Sequence, residues 1–273
     1  MLVNLSLIHP RLLTTLILLD PVIQLHASAP SGPNPAALSS TRRDIWPSRS
    51  EAEASFRKSK FYQSWDPRVL DRWCTFGIRE TPTTIYPSER DKVTLKTTKH
   101  QECVTFMRPS WEGLSPDGST ILNRDAVPDI SLDMLIKYPF YRAEPPNTLA
   151  KLPEVRPSVL YVCGEISPMS TPEARKLKME TTGTGLGGSG GAKEGRVKEV
   201  VLKGVGHLVA MESSVLCAEA SSKWLGVEMK RWEEQKRKYV EWTKKSLVEK
   251  STLSEEWQRR IKTIGGPEKG SKL

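Results

Sequence analysis

Two unbroken apolar runs, T-T-L-I-L-L at 14–19 and S-V-L-Y-V-C at 158–163, constrain the fold more than anything else in the sequence. A strand with one wet face alternates polar and apolar residues. A run with no such alternation has both faces covered, as in the parallel sheet of an α/β protein. A third run, R-V-K-E-V-V-L at 196–202, completes the set. Polar residues follow each run: Asp20 after the first, Gly164-Glu165 after the second and Gly206-His207 after the third. In open parallel sheets, residues just past the carboxyl ends of the strands face the crevice where ligands bind. The expected fold is α/β, with three parallel strands, flanking helices and a long insertion between the first two strands.

The segments between the runs have distinct characters. Leu2 to His9 is mostly apolar and stops at Pro10, which predicts the last turns of a buried helix. Ser28 to Ser40, rich in Pro, Ser, Gly and Ala, reads as a linker. Residues 41–155 read as helical and irregular. Asp66-Pro67 opens a helix there, because Asp caps well and Pro suits the first helical position. Val69, Leu70, Trp73 and Phe76 follow at helical spacing before Gly77. Ser50 to Phe61 is a second candidate, and Trp46, Trp65, Trp73 and Trp111 predict a small apolar cluster of this region's own.

Beyond the second run, Ser170-Thr171-Pro172-Glu173 matches a capping box. Gly183 to Gly195 is low in complexity and predicts a disordered loop. It contains a G-x-G-x-x-G match at 183–188, but no strand leads into it, which argues against a phosphate cradle. Ser213 to Trp224 reads as an amphipathic helix with Val215, Leu216 and Ala220 inside. The expected organisation is a core at 1–23, a helical cap at 24–155, the rest of the core at 156–235, and a basic helical tail at 236–273.

Charge narrows the partners. Lys and Arg total 41 against 32 acidic residues, a net +9 that attracts anions. From Lys223 onward 14 basic residues face 8 acidic ones. Trp232, Tyr239 and Trp242 recur there at helical spacing, which predicts a solvated helix laying one aromatic stripe on the body; an anion-binding helix is the alternative. With 37% hydrophobic and 27% charged residues the chain is neither collagenous nor wholly disordered. Four cysteines without C-x-x-C spacing point to free thiols in a reduced compartment. Four unpaired histidines offer no zinc signature. No metal or cofactor is expected.

The two ends of the sequence carry competing addresses. Leu12 to Leu19 followed by Ala27-Ser28-Ala29 resembles a secretory leader, and secretion is the alternative localisation. Against it stand a nearly absent basic region, Asp20 closing the apolar run, and Pro21 beyond. No run reaches the ~18 apolar residues of a membrane span. Ser271-Lys272-Leu273 at the other end matches a peroxisomal address, presented on the leash 265–270 and read by an import receptor.

His207, presented after Gly206 on a strand-end loop, is suited to be a general base. Asp20, at a neighbouring strand end, can accept the other ring N–H and stabilise the imidazolium. Each residue also has a plainer role available, as a turn residue or turn initiator.

The segments L-L-T-T-L-I-L-L-D-P-V (12–22), W-D-P-R-V-L-D-R-W (65–73), R-P-S-V-L-Y-V-C-G-E-I-S-P (156–168) and V-V-L-K-G-V-G-H-L-V-A-M-E (200–212) resemble the α/β-hydrolase superfamily. More narrowly they resemble its fungal toxin-biosynthesis branch, which includes peroxisomal acyl-CoA hydrolases. The resemblance implies a Ser-His-Asp triad hydrolysing an ester or acyl-CoA thioester, with His207 as base and no cofactor. A small anionic substrate is then the expected partner rather than nucleic acid. Ser167 stands where many members carry the acid on a G-x-x-D loop, so the acid role falls to Asp20, with Glu165 as fallback. No G-x-S-x-G elbow follows a strand run; the one match to that pattern, Gly187 to Gly191, lies inside the low-complexity segment. Ser6, inside the first helix, is a poor substitute. The expectation is a hydrolase cut just after its elbow, inactive alone. Its open sheet edge would invite pairing with another chain, a homodimer among the possibilities. A non-catalytic binding or assembly protein built on the hydrolase remnant is the rival reading.

Overall fold

The computed structural model describes residues 2–9, 11–27, 34–134, 136 and 138–264. Residues 28–33 of the expected linker, the leash 265–270 and Ser271-Lys272-Leu273 lie outside the described residues.

Helix α1 (Leu2–Ser6) precedes β1 (Thr15–Leu19). The insertion then runs α2 (Pro35–Thr41), β2 (Ile45–Trp46), α3 (Arg49–Lys58), α4 (Lys60–Gln63), α5 (Pro67–Phe76), β3 (Ile78–Glu80), β4 (Val93–Leu95), α6 (Lys99–Phe106), β5 (Arg108–Pro109), β6 (Phe140–Tyr141) and α7 (Glu144–Ala150). After a 3-10 turn (Leu152–Glu154) come β7 (Ser158–Gly164), α8 (Pro172–Thr181), a second 3-10 turn (Ala192–Glu194), β8 (Val197–Leu202), α9 (Val209–Glu212) and α10 (Ser214–Lys244). Helices α11 (Leu247–Ser251) and α12 (Glu255–Ile261) complete the described chain.

The three apolar runs form one parallel sheet in the order β1-β7-β8. Leu19 pairs with Val162, and Gly164 with Leu202, so all three strands end on the same side. Every residue of the central strand β7 is buried. Val159, Tyr161 and Cys163 pack on one face with Val3 of α1 and Leu16 and Leu18 of β1. Leu160 and Val162 pack on the other with Val209, Cys217 and Trp224. That two-sided burial is why the run shows no polar position. The run that could have passed for a leader therefore supplies a core strand.

Several expectations need correction. Residues 35–40, read as linker, form most of α2, started by Asn34, whose side chain accepts from the Ala36 and Ala37 N–H groups. The insertion is not only helical: β2, β4 and β3 form one antiparallel sheet, and β5 pairs with β6. These strands are two or three residues long, too short for a period-two signal. Trp46 and Trp73 join Phe56 and Leu70 in one cluster, and Trp65 contacts Trp73 edge-on. Trp111 is half exposed and pairs instead with Phe140. The cap of α8 is Thr171 rather than Ser170, since Thr171 accepts from Ala174 N–H. In α10 it is Cys217 that is buried, while Val215 and Leu216 are largely exposed.

The glycine-rich segment 183–195 is not disordered. Its N–H groups at Gly183, Gly185 and Ser189 donate to the carbonyls of Leu152, Pro153 and Val155, folding the loop back on the turn before β7. Backbone close approach explains the glycines better than flexibility does. A Cβ at Gly188 would lie 2.5 Å from the Pro153 carbonyl oxygen.

The chain divides into two compact units, Met1–Trp224 and Leu225–Leu273. Within the second, Tyr239 and Trp242 stack at 6.0 Å, and Lys250 lies over the Trp242 ring. Both aromatics are half exposed within a basic, helical stretch. Among the described residues no helix is long and apolar enough to cross a membrane.

Truncating the central strand should therefore cost far more than truncating its neighbour. Leu160→Ala is expected to lower stability by about 2–5 kcal/mol. Leu19→Ala, at a position 41% exposed, should cost roughly 1 kcal/mol or less. Urea unfolding of both variants checks the difference.

Candidate active site

The site begins with a backbone approach. Gly164 ends β7 against the loop that follows β8, and a Cβ there would sit 2.0 Å from the Gly206 carbonyl oxygen and 2.5 Å from that of Val205. Only glycine lets the two strand ends come so close. Glu165 and Ile166 N–H groups bind the carbonyls of Leu202 and Val205, and the Glu165 carboxylate accepts from Gly204 N–H at 2.8 Å. Glu165 thus secures the turn and makes no contact with the His207 ring among the described hydrogen bonds.

His207 is held from both sides. The Glu212 carboxylate accepts from Gly206 N–H at 2.7 Å and from Leu208 N–H at 3.1 Å, the two amides flanking the histidine. Its ring Nδ1 lies 2.6 Å from Asp20 Oδ2. The imidazole is 40% exposed whereas the carboxylate is fully buried. Nε2 has no hydrogen-bond partner among the described residues and faces no structural demand. This arrangement can take up a proton at Nε2 while Asp20 fixes the tautomer and steadies the resulting charge.

Asp20 adopts φ 41°, a left-handed conformation that Asp tolerates better than most residues. The strained residue is tied down by its own N–H, which donates to the Val162 carbonyl at 2.8 Å. Its carboxylate accepts from Ser167 Oγ at 2.5 Å, from Gly164 N–H at 3.2 Å and from His207. Burial alone would push its pKa up. Hydrogen bonds from His207 and Ser167, a longer polar contact from Ser170 and the Gly164 amide outweigh burial and hold the carboxyl below its ordinary 3.8. The Ser170 hydroxyl is buried and makes no hydrogen bond of ordinary geometry.

The structure thus brings Asp20 and His207 together and keeps Glu165 apart from them. Sequence reasoning missed two supporting residues. Ser167, set aside because a hydroxyl cannot balance an imidazolium, is the donor that orients the acid. Glu212 gave no signal beyond its place five residues after the histidine. Ser6 is spent on its own helix, donating to the Val3 carbonyl at 2.7 Å. Among the described residues no cluster of three or more His, Cys, Asp or Glu could hold a metal ion.

The insertion also reaches the histidine loop. Asp66 N–H donates to the carbonyl of Met211 at 2.7 Å, and its carboxylate binds Ser214 and Arg68. The W-D-P-R-V block therefore both caps α5 and pins α9, just beyond His207.

Comparison with known proteins places this geometry in context. The chain is 37% identical over 283 residues to the type I acyl-CoA thioesterase mpaH of Penicillium brevicompactum, covering 96% of this chain and 63% of that protein. It is 28% identical over 223 residues to the abhydrolase domain-containing protein AFT2-1 of Alternaria alternata, covering 81% of this chain and 77% of that one. Among solved structures it resembles the peroxisomal alpha-beta-hydrolase Lpx1 of Saccharomyces cerevisiae, with a TM-score of 0.52 and 14% identity over 96% of this chain and 56% of that one. No family model matches the chain. The chain spans a little under two thirds, 63%, of the length of the thioesterases it matches.

Replacing the acid tests the electrostatics directly. A carboxyl whose folded pKa is depressed stabilises the fold above its unfolded pKa, and that contribution is lost as pH falls through the folded value. Asp20→Asn is thus expected to be less stable than the unaltered chain by about 1.5–3 kcal/mol at pH 7. The gap should hold down to about pH 4 and close only below it. Urea denaturation at a series of pH values measures it.

Proposed function

We propose that the chain belongs to the α/β-hydrolase superfamily, in its fungal biosynthetic branch, and that Asp20 and His207 are the acid and base of a Ser-His-Asp triad that hydrolyses an acyl-CoA thioester of secondary metabolism. One observation carries this reading: a fully buried carboxylate 2.6 Å from the Nδ1 of a half-exposed histidine, each at the end of a parallel strand. His207 Nε2 would take the proton of the attacking serine and return it to the departing thiol. Asp20 would stabilise the imidazolium between these steps. The net charge of +9 suits a substrate bearing phosphates. The thioesterase activity named for the Penicillium relatives supports the substrate class.

No residue of this chain is assigned as nucleophile, since its one G-x-S-x-G match, Gly187 to Gly191, follows helix α8 rather than a strand and so forms no strand-to-helix elbow. A chimera tests the assignment without one. This chain replaces the segment it matches in the Penicillium brevicompactum thioesterase, and thiol release from acyl-CoA esters is followed. The chimera should hydrolyse them, and Asp20→Asn should cut the rate about 10⁴-fold. A folded chimera without activity, or one indifferent to His207→Ala, would sink the reading and favour a binding or assembly protein.

The same reading puts the protein in the peroxisome, imported through a receptor that recognises Ser271-Lys272-Leu273. A fluorescent protein fused ahead of the full chain should mark peroxisomes in a fungal cell. Removing the three residues should leave it diffuse, and unchanged puncta would contradict the address.

A further inference from the structure

Lys178 on α8 is 1% exposed, a location a lysine seldom occupies unless its ammonium is partnered. Its Nζ donates to the carbonyls of Met169 at 3.3 Å and Pro21 at 3.5 Å. Pro21 directly follows Asp20. Met169 belongs to the turn of Ser167, and its N–H donates to Ser167 Oγ at 3.1 Å while that hydroxyl donates to Asp20. One ammonium therefore joins the turn that carries the acid to the turn that carries its donor.

A second cation works on the same turn. Arg175, one helical turn earlier on α8, donates to the Ser170 carbonyl at 2.7 Å and ion-pairs with Glu199 of β8 at 2.6 Å. The turn at 167–170 is thus held by two basic residues of one helix. Arg175 is balanced by Glu199. Lys178 forms no ion pair of ordinary length among the described residues. An apolar side chain would fill the same slot at a lower desolvation cost. Burial lowers the Lys178 pKa below 10.5, and the Asp20 and Glu199 carboxylates, at the end of β1 and on β8, recover part of the loss, with Arg175 opposing from its own helix.

We propose that Lys178 is a positioning residue for the Asp20–His207 pair, clamping the Asp20 turn against the Ser167 turn through its two carbonyl contacts. The proposal rests on reading Asp20 and His207 as the acid–base pair. It concerns the geometry of that pair and is tested without turnover.

The experiment is nuclear magnetic resonance of the full chain with labelled His, Asp and Lys. In the unaltered chain the Nδ1 proton of His207, bound to Asp20, should resonate far downfield. In Lys178→Met, checked for fold by circular dichroism, that resonance should vanish or move upfield. Lys178→Arg should recover much of it. A folded Lys178→Met with the proton unchanged would overturn the proposal. Should that variant not fold, the unaltered chain still decides: the Asp20 carboxyl carbon should show a second inflection at the midpoint of the Lys178 ammonium. No inflection there counts against the clamp. Absence of the downfield proton from the unaltered chain would instead overturn the acid–base pair itself, and the proposal with it.

Discussion

A carboxylate with no access to water, at the end of a strand, is the constraint from which the rest of this site follows. An ionised group in a dry interior costs several kcal/mol unless its oxygens are occupied. Asp20 meets that demand with donors from three residues: the Gly164 amide, the Ser167 hydroxyl and the His207 ring. Gly164 and Ser167 bracket one turn, closed by Ser167 N–H donating to the Gly164 carbonyl at 3.3 Å, and His207 lies on the loop after β8, so turn and loop must be fixed relative to one another before the carboxylate can be buried. Gly164 permits the approach by lacking a side chain, and Glu212 fixes the histidine loop through its two flanking amides. The sheet supplies the frame, because parallel strands in register bring all three ends to one edge.

The strand ends were legible from sequence because burial on both faces leaves a strong mark. An unbroken apolar run is hard to place anywhere but the middle of a layered α/β structure, and β7 is buried along its whole length. The pair itself was legible because chemistry restricts its members: only certain side chains can be a base or hold one. The supporting residues were not. Ser167 acts by a hydrogen bond to Asp20, far away in sequence, and Glu212 by bonds to two amides within six residues of it; serine and glutamate are too common to mark either role. Lys178 was invisible for the opposite reason, since a lysine on a short helix ordinarily reads as solvent-facing.

The insertion and the glycine-rich loop were misread for a shared cause. Both derive their structure from contacts that leave no local period. Strands β2, β3 and β4 are too short to alternate, yet they close a cluster around Trp46, Phe56 and Leu95. The segment 183–195 has the composition of a flexible tether. Its glycines instead allow backbone to lie against backbone, with amides satisfied by the turn before β7. Composition reports what a segment can do in isolation. It is silent on a neighbouring backbone that needs the space.

The W-D-P-R-V block shows how the insertion and the site form one mechanical unit. Asp66 does two jobs with different atoms. Its carboxylate receives the Arg68 amide at the start of α5, while its own amide binds the Met211 carbonyl on α9. A side-chain cap alone would leave that amide free, and a backbone contact alone would not need an aspartate. Because α9 also contains Glu212, whose carboxylate holds the amides on either side of His207, a displacement of the insertion would be felt at the base through a single short helix. The acid is fixed from the other direction, by α8 through the turn at 167–170. The two halves of the pair are thus set by different supports, and their 2.6 Å separation is kept only while both hold.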